Sequence, residues 1–420
     1  MISIDLLRMK PNEVREATKK RGLEAPISRI LELDSRRRAT ISEMDNLRAR
    51  RNEASKLIGQ TKEKPESQLV QEMRKVGARI KQLRVETREV EEEMKLSLLE
   101  IPNIPEDDVP VGSSDEDNVV IRTAGNQRNL DFKPLPHWQL GEQLDIIDFE
   151  RGVKLSGSRF YVLKGQGARL QRALISWMLD LHTEEHGYKE LYLPNLVTRD
   201  TAIGSGQLPK FAEAMYQDAT DDLWMIPTAE VPMANLHGGE ILNPGSLPLN
   251  YVSHTPCFRR EKAAAGRDTR GIKRGHQFEK VEMFKFVEPA DSAKELDRLL
   301  ADAESVCIRL GIAHRVVMLC TGDLSIASAK TFDLELWAPG TDEWLEVSSC
   351  SNCTDFQARR ANIRYRPEAK AKPRYVHTLN GSGLGIPRVM IAILENYQRA
   401  DGSVEVPKVL QPYTGFERIG

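Results

Sequence analysis

Hydrophobic positions in the first hundred residues recur with a heptad period, in two stretches separated by a polar break at 61–67. The first stretch contains Ile30, Leu33, Met44, Leu47, Ala54 and Ile58, and the second contains Leu69, Met73, Val76, Ile80, Leu83, Thr87, Val90 and Met94. Two such runs joined by a short polar turn predict an antiparallel helical hairpin. At about 1.5 Å per residue, helices of about 30 residues would extend for about 45–50 Å. A coiled coil that only dimerises would have the same pattern, so the heptads alone assign no function.

Flanking segments set the limits of this helical region. Residues 11–22 predict a shorter helix, with Pro11 in its first turn and Gly22 just past its end. The acidic, proline-rich segment 101–110 cannot continue a helix. We therefore place a domain boundary in this segment, with residues 1–105 before it and residues 106–420 after it.

Beyond residue 110, helical and alternating patterns mix without a strand–helix–strand rhythm. Helical periodicity covers 167–185 and 292–310, and strand-like runs cover Leu223–Ile226, Phe278–Val287, His314–Val317, Phe332–Trp337 and Glu343–Ser348. This order predicts an α+β domain built on an antiparallel sheet. Neither a GxxxxGK[ST] loop nor a GxGxxG turn after a strand is present, so the sequence indicates neither a Walker nor a Rossmann nucleotide site.

The composition is typical of a globular cytoplasmic protein. The 420 residues, of which 40% are hydrophobic, are enough for two domains and one large core. Because there is no apolar run of about 18 residues and no signal-peptide layout at the start, we expect no membrane span and a cytoplasmic location. The five cysteines are an odd number in a large chain, which indicates reduced thiols. Cys350 and Cys353 have the spacing of half a zinc site, but no second pair follows, so no zinc is expected.

Charge is divided unevenly along the chain. Residues 1–100 hold 23 Lys and Arg against 18 Asp and Glu, a balance of +5, while the whole chain carries −2 and the remainder therefore −7. A mildly basic helical region beside an acidic body indicates that any nucleic acid meets the helices first. Five charges are too few to establish RNA binding by themselves.

The most informative segment covers residues 258–283, where two strand-like stretches flank a loop rich in Gly, Arg and Lys at 262–275. Alternation along a strand predicts that Arg259 and Glu261 face one side and Arg260 the other. The second stretch would present one face made of Phe278, Lys280 and Glu282. A forked cation, an aromatic surface and two carboxylates suit a nucleotide polyphosphate beside a small zwitterion. A charged edge hairpin that binds no ligand would have a similar composition.

Motifs in this segment and around it resemble those of class II aminoacyl-tRNA synthetases, in the form typical of bacterial seryl-tRNA synthetases. FRxE, GRDTRG and HQFxKVEM resemble motif 2 of that family. The other family blocks, in the expected order, are Thr228-Ala229-Glu230, Glu346-Val347-Ser348-Ser349-Cys350-Ser351-Asn352, and Asn380-Gly381-Ser382-Gly383-Leu384 ahead of Arg388. The resemblance covers essentially the whole chain. It implies an antiparallel-sheet class II catalytic domain over 106–420, preceded by a helical tRNA-binding arm over 1–105. The implied activity is ATP-dependent ligation of L-serine to tRNA(Ser) through a seryl-adenylate intermediate.

The resemblance also implies roles for individual residues. Serine would be bound by Thr228, Ala229, Glu230, Arg259, Glu282 and Ser382. ATP would be bound by Arg259, Arg260, Glu261, Gly275, His276, Gln277, Phe278, Glu346, Val347, Ser348, Ser349 and Arg388. The catalytic residues would be Arg259, Glu282 and Arg388, the last of which would open the final helix. Glu346 and Ser349 would hold Mg²⁺ together with ATP, since carboxylate and hydroxyl oxygens are hard ligands.

Local geometry adds expectations about how these residues reach a ligand. Thr228 and Glu230 are two residues apart, so both would face the pocket from one strand. Glu346 and Ser348 share strand parity, so Ser349 would need a bulge or a strand end to join them. The glycines at 381–385 would let the backbone approach a ligand closely, although by themselves they would indicate an ordinary turn.

Partners follow from the same resemblance. Candidate RNA-binding cations are Arg48, Arg51, Arg79, Lys81, Arg84 and Arg88 in the arm, and Arg267 and Arg270 in the loop. A solvated loop would have the same charges, because phosphate contacts and surface charges look alike in sequence. We expect tRNA(Sec) as a second RNA substrate. The family also implies a homodimer through motif 1, around Leu191–Val197 with Pro194.

Three other functions fit parts of the sequence. A synthetase paralogue that loads a carrier protein would lack the helical arm. A non-catalytic coiled-coil protein would have no need of Arg259, Glu261, Glu346 and Arg388. A class II enzyme for another small amino acid does not fit the pair Glu282 and Ser382.

Overall fold

The computed structural model describes residues 1–60, 67–262 and 270–420. Within them the chain divides into two compact units. The helical unit consists of Ile2–Lys19 and Leu23–Pro102, and the sheet domain consists of Met1, Lys20–Gly22 and Asn103–Gly420.

The helical unit is built on a long helical hairpin. Its helices are α1 (Ile4–Met9), α2 (Pro11–Lys20), α3 (Ile27–Gln60) and α4 (Ser67–Glu100). α3 and α4 form the hairpin that the heptads predict, and each has 34 residues, or about 50 Å at 1.5 Å per residue. The ion pairs Arg29–Glu93 and Arg79–Glu43, which join the two helices, agree with an antiparallel direction. Heptad side chains from both helices are buried together, namely Met44, Val76, Ile80 and Leu83, with Leu47 and Met73 packed against them.

The sheet domain alternates short helices with a large set of strands. Up to residue 242 its elements are β1 (Val119–Ala124), α5 (His137–Gln143), β2 (Ile147–Asp148), α6 (Phe149–Ser156), β3 (Val162–Leu163), α7 (Gly165–Glu184), β4 (Lys189–Glu190), β5 (Leu196–Thr198), α8 (Arg199–Ser205), β6 (Gln217–Asp218), β7 (Leu223–Met225), α9 (Glu230–Met233) and β8 (Ile241–Leu242). The remaining elements are β9 (Leu249–Phe258), β10 (Gln277–Val287), α10 (Ser292–Leu310), β11 (His314–Met318), β12 (Lys330–Ala338), β13 (Glu343–Asn352), α11 (Phe356–Ala361), β14 (Arg364–Tyr365), β15 (Arg374–Tyr375), β16 (His377–Gly385), α12 (Ile386–Asn396), β17 (Val404–Glu405), α13 (Gln411–Thr414) and β18 (Arg418–Ile419).

Eight strands form the central sheet, in the order β1-β11-β12-β13-β16-β10-β9-β4. Neighbouring strands are antiparallel except β4 and β9, which are parallel. Helices α7, α10 and α12 contribute apolar side chains to the main core, which they share with residues of β10, β12 and β13. An α+β fold on an antiparallel sheet is therefore confirmed.

Most elements predicted from periodicity are present, with small differences at their ends. The helix predicted over 292–310 is α10, and the helix predicted over 167–185 is α7 with an earlier start at Gly165. One prediction was wrong, because Arg388 opens α12, which is not the final helix since α13 follows. The glycines at 381–385 lie in strand β16, which excludes the alternative of an ordinary turn. The described helices include none that is both long and apolar enough to cross a membrane.

Candidate active site

Residues distant in the sequence meet around one cavity of about 270 Å³ in the sheet domain. The predicted site residues that line it are Thr228, Glu230, Arg259, Glu261, Gly275, Phe278, Glu282, Glu346, Val347, Ser349, Ser382 and Arg388. They come from β10, β13 and β16, from the loop between β9 and β10, from the turn before α9, and from the first turns of α9 and α12. Strands β10, β13 and β16 supply half of these residues, and loops and helix starts supply the other half.

Five predicted site residues lie away from this wall. Ala229 is fully buried in a neighbouring apolar cluster, and Ser348 donates a hydrogen bond from Oγ to the Ser382 carbonyl at 2.6 Å. The Arg260 guanidinium carbon lies 4.9 Å from the centre of the Tyr216 ring. His276 Nδ1–H donates a hydrogen bond to the Arg259 carbonyl at 2.9 Å, and the exposed Gln277 lines a separate groove.

The prediction that Arg259, Arg260 and Glu261 continue a strand was wrong. β9 ends at Phe258, and Glu261 has a φ of 47°, in the left-handed region that residues other than glycine seldom occupy. Arg259 and Glu261 nevertheless both line the cavity. The Arg259 Nε donates to the Pro227 carbonyl at 3.2 Å, and its guanidinium carbon lies 5.1 Å from the centre of the Phe278 ring. A forked cation is thus held beside an aromatic surface.

At the other end of the cavity, the prediction that Thr228 and Glu230 share a strand was also wrong, because β7 ends at Met225 and Glu230 begins α9. The two side chains still reach the cavity. The Thr228 hydroxyl donates to Glu282 Oε2 at 3.1 Å. Glu282 is 1% exposed, so this carboxylate is held in the protein interior.

The carboxylate of Glu230 has an unusual environment. Gln357 Nε2 donates to its Oε1 at 2.6 Å. Burial, and next the charge of Glu282, raise the pKa of Glu230 to about 7. A carboxylate with this pKa changes its charge near neutral pH.

Lys280 is the main site residue that the sequence left unassigned. Its side chain lines the cavity, is 10% exposed, and forms an ion pair with Glu282. The strand alternation that places Phe278, Lys280 and Glu282 on one face was the available signal. Burial of a lysine could not be read from that signal, because a long cationic side chain usually reaches solvent.

A bulge in β16 brings Ser382 opposite Glu282. Val281 pairs with Leu384 and Glu282 pairs with Ser382, so Gly383 is the extra residue. A Cβ on Gly383 would lie 2.9 Å from His182 Nε2, which explains the glycine at this position.

A second bulge, in β13, brings Glu346 and Ser349 to the same cavity. Leu334 pairs with Ser348 while Glu335 pairs with Glu346, which leaves Val347 as the extra residue. This bulge allows Glu346 and Ser349 to face the same side, although they are three residues apart on one strand. Arg388 Nη1 lies 3.2 Å from Glu346 Oε1, and the charge of Arg388 lowers the pKa of Glu346. An ionised carboxylate and a hydroxyl on one wall fit a Mg²⁺ ion bound together with phosphates.

The end of the loop before β10, which lines the cavity, is held by a buried His–Glu pair. His137 and Glu395 are 2% and 0% exposed in their side chains, with His137 Nδ1 and Glu395 Oε1 2.9 Å apart. The backbone N–H of Ile272 donates to His137 Nε2 at 3.1 Å. Glu395 Oε2 accepts from the backbone N–H groups of Gly340 and Thr341 at 2.9 and 3.0 Å. One carboxylate therefore connects three separate segments of the sheet domain.

Glycine is required next to this pair. Gly271 has a φ of 76°, and a Cβ there would lie 2.0 Å from His137 Nε2. Any other residue would push the loop off the histidine.

The candidate RNA-binding cations differ in their surroundings. Arg48, Arg79 and Arg88 form ion pairs with Asp45, Glu43 and Glu92. Within the described part of the chain, the exposed Arg51, Lys81 and Arg84 form no ion pair. Arg270 is exposed beside a groove that includes Trp138, and Arg267 lies outside the described residues.

All five cysteines are free and buried. Across residues 1–60, 67–262 and 270–420, no group of three or more His, Cys, Asp or Glu side chains could hold a metal ion.

Two family models match this chain. The "Seryl-tRNA synthetase N-terminal domain" matches residues 1–105, and the "tRNA synthetase class II core domain (G, H, P, S and T)" matches residues 211–397.

Individual proteins match over the full length. The serine–tRNA ligase of Thermomicrobium roseum is 59% identical over 422 residues, which cover 100% of this chain and 95% of that protein. The crystal structure of Pyrococcus horikoshii seryl-tRNA synthetase complexed with ATP matches with a TM-score of 0.95 and 41% identity, covering 100% of this chain and 99% of that one. The Naegleria fowleri cytoplasmic serine–tRNA ligase in complex with AMP matches with a TM-score of 0.88 and 33% identity, covering 100% and 98%.

Proposed function

The chain belongs to the seryl-tRNA synthetase family, and from this premise we propose that its cavity binds ATP beside L-serine and forms seryl-adenylate. The enzyme is a serine–tRNA ligase, and tRNA(Ser) receives the serine in the second half-reaction. The observation that carries the proposal is the meeting of Arg259, Glu282 and Arg388 around one cavity.

In the first half-reaction, a serine carboxylate oxygen attacks the α-phosphorus of ATP and pyrophosphate leaves. The protein must align the two reactants and stabilise charge on the phosphate oxygens. Arg259 suits both tasks, because its planar fork donates two parallel hydrogen bonds and keeps its charge. Its hydrogen bond to the Pro227 carbonyl and its position on the Phe278 ring hold the guanidinium in place before the substrates arrive.

Serine recognition is assigned to the end of the cavity that contains Glu282. Its carboxylate accepts the hydroxyl hydrogen of the substrate, and Thr228 orients that carboxylate through the 3.1 Å hydrogen bond. Glu230 receives the substrate ammonium, with Ser382 and the Ala229 backbone beside it. A site that hydrogen-bonds a hydroxyl can reject alanine by up to about 10⁴–10⁵-fold, because its buried partner is otherwise unpaired.

ATP recognition is assigned to the opposite end. Phe278 stacks on adenine, Glu261 contacts its edge, and Arg388 binds the terminal phosphates. The remaining candidates would form this end of the site through their backbone or by supporting the residues that contact ATP. They are Arg260, Gly275, His276, Gln277, Val347 and Ser348. Glu346 and Ser349 would hold Mg²⁺, which when bound neutralises phosphate charge.

The second half-reaction requires tRNA contacts. We assign residues 1–105 to tRNA binding and residues 106–420 to catalysis, with Arg48, Arg51, Arg79, Lys81, Arg84 and Arg88 as candidates for the RNA backbone. Arg267 and Arg270 are candidates for the acceptor end. tRNA(Sec) is a proposed second substrate.

Assembly as a homodimer is supported by exposed apolar side chains in and near motif 1. Tyr192 is 100% exposed, and Leu196 and Met225 are 45% and 36% exposed. A second copy would cover such side chains. Work in the cytoplasm is supported by the five free thiols.

ATP–pyrophosphate exchange tests the assignment of the first half-reaction. Glu282→Ala should lower serine-dependent exchange by at least about 10³-fold, because the buried hydroxyl contact is lost. Arg259→Ala should abolish exchange with any amino acid, because the α-phosphate loses its cation.

Glu279→Ala is the matched control, since Glu279 lies on the same strand and pairs with His254 at 2.7 Å rather than lining the cavity. It should retain exchange close to that of the wild type. Near-normal exchange by a folded Glu282→Ala protein would remove the serine assignment, and full activity of Arg259→Ala would remove the proposed reaction.

A further inference from the structure

The serine end of the cavity contains one more buried charge than serine itself requires. A serine zwitterion offers one ammonium and one neutral hydroxyl to this end. The protein supplies two carboxylates, Glu230 and Glu282, and one ammonium, Lys280. The excess lysine therefore calls for its own explanation.

Lys280 and Glu282 form a close pair inside the protein. Their side chains are 10% and 1% exposed, and the ammonium contacts Glu282 Oε2, the same oxygen that accepts the Thr228 hydroxyl. A buried carboxylate is costly unless it is paired and hydrogen-bonded. Lys280 thus cancels the charge of Glu282 and leaves its carboxylate as a neutralised hydrogen-bond acceptor.

Glu230 is satisfied differently. Its contact is the neutral Gln357 amide at 2.6 Å, and among the described residues no cation lies within ion-pair distance of it. Only one carboxylate of the two is then left for a positive charge brought by the substrate.

We propose that Lys280 is a specificity-determining residue that excludes amino acids with a cationic side chain from the serine site. This inference rests on the proposed function, because it assumes that serine occupies this end. The closest cationic mimic of serine is 2,3-diaminopropionate, in which an ammonium replaces the hydroxyl. Glu282 alone would attract that ammonium more strongly than a hydroxyl, whereas a fixed ammonium beside it repels the group.

Size cannot provide this discrimination, because the amino group and the hydroxyl have nearly the same volume. Hydrogen bonding cannot provide it either, since an ammonium donates to a carboxylate at least as well as a hydroxyl does. Among the groups around Glu282, Lys280 is the one whose charge opposes the mimic. The remaining cations that line the cavity are Arg259, Lys273, Arg274 and Arg388. Arg259 is assigned to the carboxylate and phosphate of the reactants and Arg388 to the terminal phosphates, while Lys273 and Arg274 form ion pairs with Glu343 and Glu261.

The same strand provides a matched control. Lys285 lies five residues further along β10, is 2% exposed, and places its Nζ 3.0 Å from Glu295 Oε2. Glu295 belongs to α10, and Lys285 does not line the cavity. Loss of Lys285 therefore reproduces the loss of a buried lysine without changing the charge of the serine end.

The test compares kcat/KM for ATP–pyrophosphate exchange with serine and with 2,3-diaminopropionate, at one pH, in full-length proteins. We expect the wild type to prefer serine by at least a hundredfold. Lys280→Met should lower activity with serine and raise the diaminopropionate-to-serine ratio by tenfold or more. Lys280→Arg keeps the charge and should keep the low ratio. Lys285→Met should lower the melting temperature and leave the ratio within twofold of the wild type.

A folded Lys280→Met protein with the wild-type ratio would overturn the proposal, as would a wild type that uses diaminopropionate as well as serine. If Lys280→Met does not fold, the same ratio of kcat/KM is measured with Lys280→Gln. A wild type without serine-dependent exchange would instead refute the proposed function, so the two failures are distinguishable.

Discussion

The helical hairpin and the sheet domain use charged residues in opposite ways. In the hairpin, ion pairs such as Arg88–Glu92 lie on the surface, with side chains that are 82% and 64% exposed. In the sheet domain, the pairs Lys280–Glu282, Lys285–Glu295 and His137–Glu395 are almost completely buried. Exposed pairs contribute little to stability, whereas removing one partner of a buried pair leaves a costly unpaired charge. The hairpin can therefore carry cations for a partner, while the buried charges of the sheet domain fix the geometry of a small ligand.

Asp34 in the helical unit departs from this contrast. Asp34 of α3 has a side chain that is 1% exposed, and Arg8 of α1 donates two hydrogen bonds of 2.6 Å to it. Hydrogen bonding to Arg8 lowers the pKa of Asp34. A buried charge in this unit thus joins two helices, in agreement with a structural use of buried pairs.

Removal of the hairpin should have the largest effect, and it should affect tRNA charging rather than serine activation. Replacing residues 28–100 by a short Gly-Ser linker should lower tRNA charging by at least about 10²-fold, because the proposed phosphate contacts are lost. Serine-dependent ATP–pyrophosphate exchange should stay within a fewfold of the wild type, and it also reports that the sheet domain is folded. Unchanged charging would make the hairpin purely structural and end the proposed division of labour.

The next largest effect is expected in the pH dependence of serine binding, which reports on the buried carboxylate of Glu230. Serine binding needs an anionic Glu230, and the pKa of that carboxyl is raised to about 7, mainly by burial. Below this pH Glu230 is protonated, so affinity for serine should fall by about tenfold for each further unit. The KM for serine in exchange should accordingly rise between pH 7 and pH 6, while the KM for ATP changes less. Glu230→Gln should bind serine weakly at every pH, and a flat profile in the wild type would show that Glu230 does not titrate in this range.

The smallest expected effect is a difference in RNA affinity between variants of unpaired and paired cations in the hairpin. Arg84→Ala should weaken tRNA(Ser) binding by about three- to tenfold and reduce the slope of log affinity against log salt by about one. Arg79→Ala should have a smaller effect, because two nitrogens of its guanidinium already bond to Glu43 at 2.8 and 3.0 Å. Binding titrations at several salt concentrations provide the measurement. Equal losses of affinity in the two variants would show that an ion pair with Glu43 does not reduce the contribution of Arg79 to RNA binding.

Sequence periodicity was a good guide where structure is local. The heptads predicted α3 and α4, and the burial of Val76, Ile80 and Leu83 follows from them, because positions three and four apart share one helix face. Alternation likewise predicted that Phe278, Lys280 and Glu282 share one face, and all three line the cavity. The motif resemblance then supplied candidates that periodicity alone could not choose.

Prediction failed where the chain leaves regular structure. Alternation was extended past Phe258, but the strand ends there and Glu261 takes a left-handed conformation. Thr228 and Glu230 reach the cavity from a turn and a helix start. The bulges at Val347 and Gly383 shift the alternation of each strand beyond the extra residue, and they depend on pairing with partners distant in sequence. A single chain read in order contains no direct signal for such pairing.

The buried Glu395 couples residues that are distant in sequence, so substitutions at these residues should depend on one another. Because its two oxygens bind the Gly340–Thr341 turn and, through His137, the backbone of Ile272, an altered turn would shift a distant loop. Substitutions near residue 340 could therefore be tolerated in one lineage and harmful in another, depending on the side chain at 137. Screens for compensating changes should find pairs among these positions even though they touch no nucleotide.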